Sequence, residues 1–199
     1  MLIMSGHERR AYLRRLLPYV LASLTLFSFG IVAGVLAVHR MPSLADHFQD
    51  TLANFVRMFR GMSPLELVGA IFLNNALKTL CAIVFGALLG IVPIIFLLAN
   101  GVALGVAMSI SAQTRGLWPS LLALLPHGII ELPAVFLGTS IGLMIGRDAA
   151  QRLSGSAETQ IGLETLQGIK YFCTVLIPLL LVAAVVETFI TAALVVPRQ

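Results

Sequence analysis

The chain has 199 residues, of which 58% are hydrophobic and only 11% charged, with a mean hydropathy of +0.97. A soluble domain carries about 25% charged residues, so this chain cannot cover itself with polar side chains and its solvent is largely lipid. That excludes a water-soluble enzyme, a disordered tail and a nucleic-acid binder working through a basic surface.

The length suits about five spans of ~20 residues with modest loops, a single transmembrane domain over residues 1–199. Thirteen Lys+Arg against nine Asp+Glu give a net charge of +4. Four of the thirteen are Arg9, Arg10, Arg14 and Arg15, directly before the first apolar run. That position marks membrane topology rather than phosphate binding, and no nucleic-acid partner is expected. Cys81 and Cys173 lie inside apolar runs without metal-type spacing, so they read as small core residues.

In chain order, the first span is placed at 16–38. Its apolar run is longer than the 7–15 residues of a cleavable signal core, so it is expected to be retained. Residues 39–62 carry Arg40, Asp46, Asp50, Arg57 and Arg60, with Leu44, Phe48, Leu52, Phe55, Val56 and Phe59 at helical spacing. Segment 44–60 therefore reads as an amphipathic helix, lying in the interface or packed on the domain.

The run from Leu65 to Ser111 would extend roughly 70 Å as one helix, about twice a bilayer, so it must fold back. Gly86, Gly90 and Pro93 mark the turn, giving spans at 65–88 and 92–112. A fourth span is placed at 118–145, a polar stretch follows over 147–168, and the fifth span is placed at 169–196. The fold class is thus an all-α integral membrane protein of about five helices. Interrupted helices are expected near residue 100, at the turn-type pair Asn100–Gly101, and over 126–133, where Pro126, Gly128 and Pro133 fall.

Five spans place the termini on opposite sides. With the amino terminus inside, that side carries Arg9, Arg10, Arg14, Arg15, Arg147, Arg152 and Lys170, against Arg40, Arg57, Arg60, Arg115 and Arg198 outside. The expectation is a multi-pass cell-membrane protein with a cytoplasmic amino terminus and an outer carboxyl terminus. Gly30/Gly34, Gly86/Gly90, Gly101/Gly105 and Gly138/Gly142/Gly146 repeat at four residues, giving small faces for tight packing. Those faces can serve within the chain or toward protein partners or a second copy.

Ionisable groups inside a span cost at least ~2.5–3.5 kcal/mol at the helix centre, so each needs a reason. Asn74, Asn75 and Lys78 fall in span two, Asn100 in span three, His127 and Glu131 in span four, and Glu187 in span five. Asn74 and Lys78 are four apart and share a helical face, as do His127 and Glu131. A buried polar cluster at one depth follows, with Lys78 paired to Glu131 and Glu187 as the other candidate. Such a cluster can lock the helices together, bind an ion, proton or small ligand, or catalyse. No cofactor is expected. As a metal site His127 and Glu131 supply only two ligands, and no catalytic constellation such as H-E-x-x-H or G-x-S-x-G is present.

Asn74–Asn75, then Asn100–Gly101, then Pro126-His127-Gly128-Ile129-Ile130-Glu131 together resemble the stage II sporulation protein M family over nearly the whole chain. The resemblance marks Asn74, Asn100, Gly101, His127, Gly128 and Glu131. It implies a polytopic membrane protein without established catalysis, which in spore formers acts as a membrane scaffold for peptidoglycan-degrading partners during engulfment. Three functions stay open: a non-enzymatic scaffold, a small oligomeric transporter or channel using the polar cluster, and an intramembrane metal-dependent enzyme.

Overall fold

The computed structural model describes residues 6–41, 43, 46–48, 50, 51, 57, 61–155 and 160–191. For residues 6–9, 123–127, 129, 130, 190 and 191 the description covers the backbone alone. The helices are α1 (Gly6–Arg40), α2 (Pro64–Val84), α3 (Ile91–Arg115), α4 (Leu117–Leu153), α5 (Ile161–Tyr171) and α6 (Ile177–Val186). A π-turn, Phe172–Leu176, joins α5 to α6, and a second, Glu187–Thr191, continues from α6. No strand occurs among the described residues.

Local chemistry sets the boundaries. Ser63 and Glu66 form a capping box at the start of α2: the Ser63 amide donates to Glu66 Oε2 at 2.7 Å, and the Glu66 amide donates back to Ser63 Oγ at 3.4 Å. Pro64 follows in the first turn, where its missing N–H costs nothing. The chain reverses between α2 and α3 through a 3₁₀ turn, Phe85–Ala87, and two left-handed residues, Leu89 at φ 56° and Gly90 at φ 73°. Pro178 has no N–H to offer the carbonyl four residues earlier, and the widened π-turn lies immediately before it.

Contacts between helices give their directions. Tyr19 meets Arg147, Ser23 meets Ser140 and Phe27 meets Phe136, so α1 and α4 are antiparallel. Gly30 lies on Gly101 and Gly34 on Val102 and Val106, so α1 and α3 run parallel. Thr79 touches Gly138, Gly86 touches Gly142 and Gly90 touches Gly146, so α2 with its following turn descends alongside α4. Gly168 lies at Ile141 and Leu176 at Gly138, which makes α5–α6 antiparallel to α4. The chain therefore alternates direction along five rods, and Gly6 and Thr191 end on opposite sides.

Four of these rods are long and apolar enough to cross a membrane: Arg10–Arg40, Pro64–Ala87, Ile91–Arg115 and Ile161–Phe189. The fifth, α4, has 37 residues, a length of about 55 Å, and is not among those four. The protein is a multi-pass helical membrane protein, with the count of five resting on α4.

Neither expected interruption occurs. Helix α3 runs unbroken through Asn100–Gly101, and α4 runs unbroken through Pro126, Gly128 and Pro133. In lipid a broken helix leaves backbone groups without water, so the turn preference of Asn–Gly yields to a continuous ladder. Asn100 turns its amide on its own helix, donating to the Phe96 carbonyl at 2.7 Å. Pro119, Pro126 and Pro133 are seven apart, which places them on one helical face, and Pro133 is exposed on it. The helix continues past Arg147 to Leu153, so the polar stretch between α4 and α5 is confined to residues 154–160.

Most of the amphipathic segment 44–60 lies outside the described residues. Phe48, within it, packs on Val38 of α1 and Val106 of α3, while Asp46, His47, Asp50 and Arg57 are exposed. The main core joins Tyr12 and Leu16 of α1, Ala76 and Ile83 of α2, and Ala134, Ile141 and Ile145 of α4. Tyr171, Leu176 and Leu180 from α5, the π-turn and α6 complete it.

The repeated glycines make the closest contacts. A Cβ on Gly30 would stand 3.0 Å from Gly101 Cα, one on Gly34 3.0 Å from the Val106 amide nitrogen, and one on Gly105 3.0 Å from the Ile31 carbonyl carbon. On the other side of the bundle a Cβ on Gly86 would stand 2.6 Å from Gly142 Cα, and one on Gly146 2.5 Å from Gly90 Cα. These faces are occupied by the chain's own helices.

Gly34→Ala and Gly142→Ala are therefore expected to lower thermal stability in detergent by an amount equivalent to about 1–3 kcal/mol through overpacking. Gly69, where a Cβ would meet nothing within 4 Å, should accept Ala with no loss, since Ala is the better helix former. Equal Tm values for all three variants would contradict the close crossings.

Candidate functional site

Of the residues expected in a mid-span cluster, Asn74 and Asn75 are joined by a described hydrogen bond. Glu131 is buried, 8% exposed, near the middle of α4. The π-turn Glu187–Thr191 packs against both α2 and α4, and within it Glu187 is half-buried and Thr188 buried. Asn74 and Asn75 are half-buried on α2, and the Asn74 amide donates to Asn75 Oδ1 at 3.1 Å. Asn100 bonds within its own helix. The side chains of Pro126 and His127 lie outside the described residues.

Lys78 does not join. The inner face of α2 is Val68, Ala76, Thr79, Ala82 and Ile83, whereas Lys78 is exposed beside Leu77 and Cys81; Cys81 and Cys173 are both exposed, not the core residues expected. The ion pair described within 4 Å is Arg15–Glu164; Lys78 stands on the exposed side of α2, whereas Glu131 is buried. Spacing groups Asn74 with Lys78 on one side of α2 without saying which way that side turns; in the structure Asn74 is half-buried and Lys78 exposed. Among the described residues no group of three or more His, Cys, Asp or Glu is placed to hold a metal.

A second polar group escaped sequence reasoning. Ser23 of α1 and Thr139 and Ser140 of α4 are wholly buried where the two helices cross. Ser23 Oγ lies 3.0 Å from Ser140 Oγ, and Thr139 Oγ1 lies 3.4 Å from Ser23 Oγ while donating to the Val135 carbonyl at 2.8 Å. Ser140 also donates to the Phe136 carbonyl. Hydroxyls so placed satisfy one another across a helix interface that water cannot reach. Thr79 is also fully buried, with its methyl against Gly138, and its hydroxyl finds no partner among the described residues. The available signal was weak: three small hydroxylated residues resemble ordinary small core residues in a sequence.

A third group closes the end of the bundle where α1 starts. Arg15 Nη2 donates to Glu164 Oε1 at 2.8 Å, tying α1 to α5. Arg147 Nη1 donates to Tyr19 Oη at 3.1 Å, tying α4 to α1. Tyr12 stacks obliquely on Tyr171, with ring centroids 5.7 Å apart. Asp148 sits beside these groups. Burial, followed by the nearby Glu164 charge, pushes its carboxyl above the ordinary range, against the opposing pull of Arg15 and Arg147.

Alternating apolar helices, closed by glycine contacts and crossed by internally bonded hydroxyls, define a polytopic helical membrane protein. The family model described as Stage II sporulation protein M matches residues 23–192, and the chain belongs to that family. It is similar to an uncharacterized protein of Methanocaldococcus jannaschii, 26% identical over 174 residues, covering 86% of this chain and 93% of that one. No solved structure matches the chain.

Two substitutions separate the polar groups. Thr139→Val should lower stability by about 0.6 kcal/mol and by no more than ~1.7, the range for buried membrane hydrogen bonds. Lys78→Leu should leave Tm unchanged or raise it, because an exposed ammonium in the span is lost without breaking a described pair. A large loss with Lys78→Leu would restore a structural role for that lysine.

Proposed function

We propose that this protein is a non-enzymatic integral membrane scaffold that holds partner proteins through the outer faces of its helices. The observation that carries this reading is the internal use of its packing devices. The glycine faces are closed by the chain's own helices, and the buried hydroxyls of α1 and α4 bond to each other. What remains outward is an apolar surface, including Leu21, Phe29 and Val32 of α1 and Leu73 and Leu77 of α2. Membership of the family, with its implied peptidoglycan-degrading partners, agrees with a recruiting role. A second copy of the chain would also have to use these outer faces rather than the glycines.

The amino terminus is assigned to the cytoplasm. Arg10, Arg147 and Arg152 are exposed at the same end of the bundle, adding to the arginine cluster before the first span.

A transporter reading keeps one supporting observation, buried Glu131 with the Glu187–Thr191 π-turn packed on the helices beside it. Reconstitution separates the two. The purified protein alone should pass no protons, ions or small solutes in proteoliposomes, while its removal from cells should displace a peptidoglycan-degrading partner from the membrane. Solute flux that disappears in Glu131→Gln would overturn the scaffold in favour of transport.

A further inference from the structure

A cavity of about 330 Å³ lies between α1 and α3 where both helices finish, and Leu117, the first residue of α4, completes its wall. Its depth is set by the fold. His39 is one residue from the end of α1 and Gln113 two from the end of α3, and exposed Arg40, Arg115 and Trp118 stand at the same end. Arginine and tryptophan at a span end mark the headgroup level of a bilayer. Phe48, from the segment after α1, packs on Val38 and Val106, neither of which lines the cavity.

Three polar side chains line it, and none carries a fixed charge. His39 Nδ1 donates to the Val35 carbonyl at 2.8 Å, which in the neutral ring leaves Nε2 as an acceptor. Ser109 is 8% exposed, and among the described residues its hydroxyl has no hydrogen-bond partner. Gln113, four residues on and therefore on the same face, is exposed and has an amide that both donates and accepts. No Arg, Lys, Asp or Glu among the described residues lines the wall, so a phosphate or an ammonium meets no counter-charge on it. Hydroxyl groups, which donate and accept at once, match this set. At ~30 Å³ of liquid per water the space equals roughly eleven waters, enough for one sugar ring with its hydroxyls. The rest of the lining is apolar, and it continues into the membrane on the same faces. Val32 lies three residues before Val35 and is 55% exposed, and half-buried Leu104 lies four before Met108.

From this juxtaposition we infer that the cavity is a binding site for a membrane glycolipid whose headgroup is a single sugar ring. The sugar hydroxyls bond to His39 Nε2, the Ser109 hydroxyl and the Gln113 amide, and an acyl chain follows Val32 and Leu104. A phosphocholine headgroup has no hydroxyl to offer these groups. A phosphoglycerol headgroup has two, with a phosphate that finds no cation on the wall. The site is independent of whether the protein recruits partners or moves a solute.

Native mass spectrometry of the delipidated full chain tests it, in a polyoxyethylene detergent that carries no sugar. The probes are monoglucosyl diacylglycerol, phosphatidylglycerol and phosphatidylcholine of identical acyl chains. The glucosyl lipid should bind roughly tenfold more tightly than phosphatidylcholine, the gain expected from two neutral hydrogen bonds, with phosphatidylglycerol between them. His39→Phe and Gln113→Leu, both at exposed positions, should each weaken the glucosyl lipid by roughly threefold and leave phosphatidylcholine unchanged. The double variant should lose the preference while keeping its thermal melt. Phosphatidylcholine bound as tightly as the glucosyl lipid, phosphatidylglycerol bound more tightly than either, or a preference that survives the double substitution would overturn the site. Soluble methyl glucoside should not compete at concentrations where the lipid saturates; binding it as tightly as the lipid would overturn the membrane source.

Discussion

Backbone meets backbone at the glycine crossings, and the other distances in the bundle follow from that contact. Lipid offers helices no hydrophobic reason to associate, since its chains are as apolar as leucine. Attraction has to come from dispersion at short range, which requires side chains small enough to let the main chains approach. Gly30 and Gly34 do this for α1 against Gly101 and Gly105 of α3, and Gly86 and Gly90 do it against Gly142 and Gly146 of α4. The two crossings stand on different sides of the bundle, and α4 lies against α1 between them. Ser23, Thr139 and Ser140 are brought within bonding distance there, and the Arg147–Tyr19 contact closes the end of the same interface.

The glycines serve different requirements. At Gly90 the backbone is left-handed, and the turn also needs Leu89 in the same region of conformational space. At Gly142 and Gly34 the backbone is ordinary helix, and the requirement is only the missing Cβ. A methyl group at Gly90 would strain the left-handed backbone, and one at Gly34 or Gly142 would press on a neighbouring helix. The tightness of these contacts also explains why the polar side chains fall where they do. Hydroxyls of serine and threonine fit at a close crossing, whereas the larger Glu131 stands about two turns before it on α4 and Glu187 follows α6 in the second π-turn.

Much of this architecture is legible in the sequence. Apolar runs, the arginine cluster and the four-residue glycine repeats depend on composition and local spacing, and these survive folding unchanged. The family resemblance rested on the same ground, in Asn74–Asn75, Asn100–Gly101 and the stretch from Pro126 to Glu131. What failed was the transfer of rules learned in water. Asn–Gly and proline mark turns where solvent can satisfy a freed carbonyl, and in the interior of α3 and α4 it cannot. The irregular backbone instead appears as π-turns at Phe172–Leu176 and Glu187–Thr191, of which only the first has a sequence signal, Pro178. The rotation of α2 about its axis was also invisible, because spacing groups Asn74 with Lys78 without saying whether that side faces inward.

The account depends on the small and polar residues of α1 and α4 meeting inside one chain rather than between chains. Disulfide trapping of Ser23→Cys with Ser140→Cys reads this directly, in a background where exposed Cys81 and Cys173 are replaced by serine. The two hydroxyl oxygens are 3.0 Å apart, close enough for their sulfur replacements to bond. Oxidation in native membranes should give a crosslink within the monomer, seen as a reduction-sensitive mobility shift at monomer mass. A reduction-sensitive dimer, or no crosslink at either mass, would contradict the intrachain bundle.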